Sequence, residues 1–221
     1  MGPLPRLEDL PSEFPVFPLP GALLLPQGKL PLNIFERRYL AMVEDALASG
    51  RVIGMIQPDE LRPSTPSGPA LYRVGCLGRL SSFSEADDGR YFIMLTGVVR
   101  FAVGVELEMK RGYRRVRGDL QRFRADLQSA SSTDAIDRDG LMEALRAYFG
   151  ARGFDANWDA INEMPDDALV VTLSMVCPFD PAEKQALLEA PGLADRAGTL
   201  LQLLQMGSHT PDAGRQGRPA S

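Results

Sequence analysis

The sequence predicts an α+β protein, with a strand-rich first half that contains one helix and a second half built of helices. Short apolar runs separated by turn residues dominate before residue 125, at 51–58, 71–83 and 90–108. One helical stripe of apolar residues, between Glu36 and Ala48, interrupts these runs. Beyond residue 134 the apolar residues recur at helical spacing instead.

Four segments follow from this change of pattern. The predicted organisation is an N-terminal arm (1–12), a β-domain (13–125), a helical bundle (126–206) and a tail (207–221). The tail has no apolar period, so we expect it to be disordered.

Strand and turn signals fill the β-domain. Apolar residues from Phe101 to Leu107 alternate with small or acidic ones, which predicts a half-buried strand. The segment "EADDG" (85–89) between two strand runs predicts a hairpin. Further upstream, "ALLL" (22–25) and "KLPLNI" (29–34) are interpreted as strands joined by a Pro-Gln-Gly turn.

Helix signals define the bundle. Residues 166–177, "DDALVVTLSMVC", are apolar nearly all round, which predicts a central, buried helix. "DPAE" (180–183) predicts the next helix start, with Asp180 as the cap and Glu183 reaching back to it. The remaining stripes are Leu141, Leu145, Tyr148 and Phe149, and then Leu193, Ala197, Leu200, Leu201 and Leu204.

Composition describes an ordinary soluble chain of 221 residues with a net charge of -5. The negative charge argues against nucleic acid as the main partner. Neither a signal peptide nor an apolar run long enough to span a membrane is present in the sequence, and Cys76 and Cys177 lie far apart in apolar surroundings. We therefore expect a cytoplasmic protein with two buried, reduced thiols, and the excess of arginine over lysine indicates a GC-rich bacterial genome.

A phosphate-binding loop is the first catalytic candidate, since Gly21, Gly28 and Lys29 resemble part of its pattern. The glycines are two positions too far apart, and Leu30 occupies the place of the magnesium-binding hydroxyl. The intervening "ALLLPQ" is too apolar to wrap an anion. This stretch is better explained as structure than as a nucleotide site.

Other chemistry lacks its residues. The single histidine, His209, lies in the predicted tail, which argues against a Ser-His or Cys-His nucleophile and against a zinc site. None of the three lysines has a recognisable serine context, although composition alone does not exclude a Ser-Lys dyad. We therefore expect no catalytic residue, no metal ligand and no cofactor.

One basic segment, "KRGYRRVRGDLQRFR" (110–124), could hold single-stranded nucleic acid by interleaving arginine with Tyr113 and Phe123. The alternative is a surface strand in which Val116 and Leu120 face inward, while residues 115, 117 and 119 face water. The period of two favours the strand.

The stretch "FPVFPLPGALLLPQGKLPLNIFERRYLAMV" resembles the start of the Lon protease amino-terminal, substrate-binding domain. That family begins with an apolar "PLFPL" strand and enters its helix through "LPLxIFExRY". A later hairpin, "LYRVGCLGRLSSF…DDGRYFIMLTGVVRFAV", and "YRRVRGDL" resemble further parts of the same domain. The match is strong over about residues 13–120 and extends to 134–206 only in pattern.

The resemblance implies a PUA-like β-barrel with one inserted helix, followed by a helical bundle. It also implies a non-catalytic module that binds unfolded or partly folded protein, as an adaptor or holdase, with a Lon-type protease as a candidate partner. Lon itself continues into ATPase and Ser-Lys protease modules, for which this sequence has no counterpart. Asn33 stands where many stand-alone members have histidine.

The family signature falls on Pro31, Phe35, Glu36, Arg38 and Tyr39. As structural positions, Pro31 and Phe35 would pack the barrel on the helix, Glu36 would favour the helix start, and Arg38 would pair with a carboxylate. As a site, the same residues would contact bound peptide.

Two other functions compete with protein binding. A nucleic-acid module would use residues 110–124 and would weaken steeply with salt. An enzyme or small-molecule binder would show a deep pocket with convergent polar groups. The client, the oligomeric state and the binding surface do not follow from the sequence.

Overall fold

The computed structural model describes residues 5–128 and 136–209, and these form two compact units. The first, called here the β unit, comprises residues 5–128 together with 175–189. The second, the helical unit, comprises residues 136–174 and 190–209. The helical bundle predicted from the sequence includes the whole of 126–206, so the predicted and observed divisions differ over 175–189.

A closed barrel forms the centre of the β unit. The described strands are β1 (Glu13–Pro18), β2 (Lys29–Ile34), β3 (Val52–Ile56), β4 (Val74–Glu85), β5 (Tyr91–Lys110) and β6 (Tyr113–Asp119). They follow the order β2-β5-β4-β3-β1-β6, and β5 also pairs with β6. Because that last pairing closes five strands on themselves, β2 lies outside the closed ring, attached to the first half of β5.

Two phenylalanines fill the middle of the barrel. Phe14 and Phe101 are almost fully buried, and their rings meet edge to face with centroids 4.9 Å apart. A side chain at Gly75 or Gly118 would collide with one of these rings at 2.5–2.6 Å. The glycines therefore leave the room that the two rings occupy.

The helices of the described residues are α1 (Arg37–Ala48), α2 (Arg138–Arg152), α3 (Trp158–Asn162), α4 (Asp166–Val176), α5 (Pro181–Glu189) and α6 (Leu193–His209). Short 3₁₀ helices cover Leu7–Asp9 and Gln121–Leu127. The predicted inserted helix and the predicted α+β class are confirmed, with α1 between β2 and β3. In the helical unit, α2 packs along α6, and the ring of Tyr148 lies against Gly207.

Helix α5 belongs to the β unit because its polar side chains donate hydrogen bonds to main-chain carbonyls of that unit. Gln185 donates to the Val74 carbonyl at 3.0 Å, and Lys184 donates to the Gly21 carbonyl at 2.8 Å. Gln57 on the barrel side donates to the Pro181 carbonyl at 2.9 Å. The predicted helix start is confirmed, since the Asp180 amide donates to the Glu183 carboxylate at 2.8 Å.

Several predicted elements differ from the structure. Leu23, Leu24 and Leu25 are buried, but residues 22–25 form no strand, and the main chain of Leu25 lies against Gly97 of β5. The alternation from Phe101 to Leu107 breaks at a bulge between Val103 and Val105, which leaves Val105 57% exposed. The predicted strand at 101–107 is confirmed as part of β5, whereas its regular alternation and the strand at 22–25 are wrong, because neither register nor bulges can be seen in an apolar pattern.

Two helical predictions also need correction. Helix α4 is not buried all round, since Val176 is 64% exposed, although Leu169, Val170 and Leu173 are buried. The tail predicted from Gly207 is helical through His209, because α6 continues there against Tyr148. The rest of the predicted tail, 210–221, lies outside the described residues.

Candidate functional site

Strand β2 and the hairpin beside it expose an apolar surface on the β unit. The strands β2, β5 and β4 lie side by side, with Pro31 opposite Met94 and Met94 opposite Ser82. In the next row Asn33 lies opposite Phe92, and Phe92 opposite Ser84. Residues two apart on a strand share a face of the sheet, so the side chains of both rows share one face. We call Pro31, Asn33, Ser82, Ser84, Phe92 and Met94 the outer apolar face.

The outer apolar face is a shallow depression of about 340 Å³ in which these six residues share the lining with Leu32 and Ile93. Phe92 is 45% exposed, and Phe35, which directly follows β2, is 65% exposed. Serine hydroxyls and the Asn33 amide supply the polar groups. Such a surface can cover apolar side chains of a partner and offers a few hydrogen bonds, but it has no enclosed pocket for a small molecule.

The family-signature residues divide between this surface and the start of α1. Pro31 belongs to the outer apolar face, and exposed Phe35 follows directly after β2. The interpretation of Pro31 and Phe35 as packing residues is wrong, because both are exposed. A contact role for either residue stays a prediction.

Glu36, Arg38 and Tyr39 form a local group at the α1 N-terminus. Arg38 pairs with Glu36 at 2.8 Å, as predicted, and its guanidinium lies 4.6 Å from the centre of the Tyr39 ring. The ring of Tyr39 is buried against Phe17 at 4.2 Å, and this burial raises the pKa of the Tyr39 phenol. Glu36 caps the helix through its main chain rather than its side chain, because its carbonyl accepts from Tyr39 and Leu40. The group therefore holds the helix start in place.

The basic residues between Lys110 and Arg117 are paired with carboxylates. Arg115 and Arg117 both lie within 3.5 Å of Glu13, and Lys110 and Arg111 pair with Asp45 at 3.1 Å. Arg114 belongs to the segment that could have formed a nucleic-acid groove. It is buried and forms a salt bridge with Glu106 at 2.7 Å. Paired and buried cations attract a polyanion weakly, so the geometry favours the surface-strand interpretation. Val116 and Leu120 face inward as predicted.

Two more expectations concern cysteines and metals. Cys76 and Cys177 are both buried, as predicted. Within residues 5–128 and 136–209, no group of histidine, cysteine, aspartate and glutamate could hold a metal ion. Over the same ranges, none of the helices has the length and apolar character to cross a bilayer.

Four residues of the outer apolar face are not predicted from the sequence, namely Phe92, Met94, Ser82 and Ser84. Their alignment with β2 depends on the register of three strands, two of them separated from β2 by the whole of α1 and β3. A signal was present, because Tyr91 to Leu95 is apolar at every position, whereas a strand with one solvated face should alternate.

Comparison with known proteins identifies the family to which this chain belongs. The family of ATP-dependent protease La (LON) substrate-binding domains matches residues 13–206, and the chain belongs to this family. The predicted resemblance is thereby confirmed, and the chain carries the fold of a substrate-binding module.

Two relatives are Lon proteases. The chain is 30% identical over 218 residues to the Lon protease of Anaeromyxobacter dehalogenans and 26% identical over 209 residues to Lon protease 2 of Myxococcus xanthus. These matches cover 92% and 89% of this chain but only 24% of each relative. The chain therefore spans about a quarter of the length of these relatives.

Solved structures agree on the fold. A Lon N-terminal domain protein from Xanthomonas campestris matches with a TM-score of 0.56 and 22% identity, over 87% of this chain and 96% of that one. The N-terminal domain of the Mycobacterium avium complex Lon protease matches with a TM-score of 0.57 and 16% identity, over 89% and 97%.

Proposed function

We propose that this protein binds exposed apolar segments of unfolded or partly folded polypeptides through the outer apolar face. The observation that carries the proposal is the exposure of Phe92 beside Pro31 and Met94, on a sheet face that no described element covers. Membership in a substrate-binding family supports the same function. Contact between an exposed apolar surface and apolar groups of a partner removes both from water, and this lowers the free energy of the system.

The protein would act as an adaptor or holdase in the cytoplasm, with a Lon-type protease as a candidate partner. Both cysteines are buried, and the cytoplasm is a compartment in which thiols stay reduced. An adaptor would transfer the bound segment to the protease, whereas a holdase would keep it from aggregating. Light scattering of a heated client protein separates these roles, because only a holdase lowers the scattering without a protease present.

Binding is tested by titrating the protein against fluorescently labelled, reduced and carboxymethylated α-lactalbumin, which stays unfolded. We expect saturable binding, and the variant Phe92→Ser/Met94→Ser should bind about tenfold more weakly, since burying one large apolar side chain contributes about 1.5–3 kcal/mol. Absence of binding at tens of micromolar would contradict the proposal.

A matched control lies on the same strand. Met109 is 47% exposed on β5 but lies far along the strand from Phe92. Met109→Ser should leave the affinity unchanged. Equal losses in Met109→Ser and in the double variant would show that binding is nonspecific.

A further inference from the structure

Strand β2 has one paired edge and one free edge. It pairs with β5 over six residues, from Lys29 opposite Thr96 to Ile34 opposite Tyr91, and has no second strand partner among the described residues. Every other strand of the sheet has neighbours on both sides over at least part of its length, because the barrel closes. β2 has a partner on one side only over its whole length, so its free edge is a place where the described sheet can grow.

The hydrogen bond beside the start of the β2–β5 pairing shows which residues of β2 direct their main-chain groups towards β5. The Gly97 amide donates to the Gly28 carbonyl at 2.8 Å, one step before the pair of Lys29 and Thr96. Bonded and non-bonded pairs alternate in an antiparallel ladder. The residues of β2 that bond to β5 are therefore Leu30, Leu32 and Ile34, and those that point their main-chain groups away are Lys29, Pro31 and Asn33.

Proline chemistry agrees with this assignment. Pro31 has no N–H, so it fits only at a position whose main chain donates no hydrogen bond to β5. The free edge then offers the amide groups of Lys29 and Asn33 and the carbonyl groups of Lys29, Pro31 and Asn33. These groups suit a partner with a regular repeat of main-chain donors and acceptors, which is an extended polypeptide.

We propose that the free edge of β2 takes up an extended polypeptide segment as an added antiparallel strand. The proposal rests on the function proposed above and specifies how the segment is held. Lys29 and Asn33 would each exchange two main-chain hydrogen bonds with the segment, and Pro31 would accept one. The added strand would cover the half-exposed side chains of Leu30 and Leu32 on one face and flank the outer apolar face on the other.

Pro31 has a specific effect in this arrangement. It leaves the carbonyl of the segment that lies opposite it without a donor, so the segment makes two hydrogen bonds at each of Lys29 and Asn33 and only one at Pro31. The same missing donor weakens pairing between the β2 edges of two copies. The edge therefore accepts a mobile segment reversibly and resists stacking with itself.

The test uses a soluble peptide in which leucine and threonine alternate between lysine ends, and two N-methylated forms of it. One form carries methyl groups on the leucine amides, the other on the threonine amides, so each blocks hydrogen bonding along one edge of the peptide. We expect one form to lose at least tenfold in affinity and the other to bind like the parent peptide. Amide hydrogen exchange at Lys29 and Asn33 should slow on binding, while Leu30 and Leu32 are already slow in the free protein.

Each outcome decides between the two proposals. Equal binding of all three peptides, or equal loss with both methylated forms, overturns strand addition but leaves apolar binding intact. Failure of the parent peptide to bind, together with failure of unfolded α-lactalbumin, overturns the proposed function and the strand addition with it. Binding of unfolded α-lactalbumin without any change in exchange at Lys29 and Asn33 overturns strand addition alone.

A gain-of-function variant gives independent support. Pro31→Val supplies the missing donor, and one further main-chain hydrogen bond should tighten binding of the parent peptide about fivefold. The variant should also self-associate at high concentration, as seen by sedimentation. Weaker binding by Pro31→Val, with an unchanged thermal midpoint, would overturn the proposal.

Discussion

Arg100 and Asp126 form a doubly hydrogen-bonded ion pair inside the β unit. The guanidinium donates from Nε to Oδ2 at 2.9 Å and from Nη2 to Oδ1 at 2.8 Å, and both side chains are less than 10% exposed. Arg100 also donates to the Leu188 carbonyl of α5 at 3.1 Å and lies 4.8 Å from the ring centre of Phe123. This one side chain therefore joins β5, the 3₁₀ helix and α5.

The first prediction follows from this burial. Asp126→Ala should lower the free energy of unfolding by about 3–5 kcal/mol, because it leaves a buried guanidinium without its counter-charge. Asp88→Ala is the matched control, since Asp88 pairs with Arg90 at 2.7 Å on the exposed surface. Urea denaturation of both variants measures the difference, and similar losses would contradict the argument.

The second prediction concerns Gly97, where the buried segment 22–25 meets β5. A methyl group at this position would overlap the Leu25 carbonyl oxygen, which belongs to the main chain and has little room to move. Gly97→Ala should lower the free energy of unfolding by about 2 kcal/mol or more. Gly150→Ala, in α2 with open space around it, should raise stability by up to about 1 kcal/mol. Thermal denaturation distinguishes the two directions.

The third prediction is the acid sensitivity of Asp45. Tyr113 donates its phenol proton to Asp45 at 2.6 Å, and this hydrogen bond, with further ones from Lys110 and Arg111, holds the pKa of the carboxyl below its usual range. A lowered folded pKa contributes stability above the unfolded value of about 4, and this stability is lost as the pH falls through the folded pKa.

Asp45→Asn should therefore be less stable than the unaltered protein at neutral pH, by about 1–2 kcal/mol. The difference should shrink as the pH is lowered from about 5 to about 2. Tyr113→Phe removes the main cause of the shift and should show an intermediate pH dependence. A constant difference across this range in urea denaturation would contradict the prediction.

The fourth prediction uses Lys184, whose amine is buried and donates to the carbonyls of Gly21 and Met175. Burial lowers the pKa of this amine, so the folded protein binds the proton less tightly than the unfolded chain. Stability then rises as the pH passes from the folded pKa towards the unfolded value of about 10.4. Lys184→Met lacks this rise, so the unaltered protein should gain on the variant between neutral and alkaline pH.

Calorimetry at a series of pH values measures this trend. Lys29→Met, which replaces an exposed lysine, is the control and should follow the unaltered protein. If the difference between Lys184→Met and the unaltered protein stays flat, the lysine titrates in the folded state as it does in the unfolded chain.

Local signals in the sequence predicted the local structure well. The hairpin between β4 and β5, helix α1 and the start of α5 each depend on a few adjacent residues, such as Gly89 in the turn, with a φ of 79°. The burial of Arg114 was missed because its partner Glu106 lies across a strand pair that contains a bulge. Pairing across a bulged hairpin leaves no periodic pattern in the sequence.

The candidate site was predicted only in part, for the same reason. Pro31 and Phe35 stand in the recognisable motif, and the structure leaves both exposed. Phe92 and Met94 became visible only with the register between β2 and β5. Both faces of that part of β5 are apolar, so the sequence could indicate an unusual strand but could not say which face stays open.

The position of α5 has a consequence for the order in which the protein is made. The barrel carbonyl of Val74 accepts a hydrogen bond from Gln185, and Nη1 of Arg100 donates one to the Leu188 carbonyl, so both groups have partners beyond residue 180. A nascent chain that has released all six strands from the ribosome still lacks these partners, and α2 to α4 are synthesised in between. Completion of the barrel on the ribosome therefore waits for a helix that is translated more than sixty residues after the last strand.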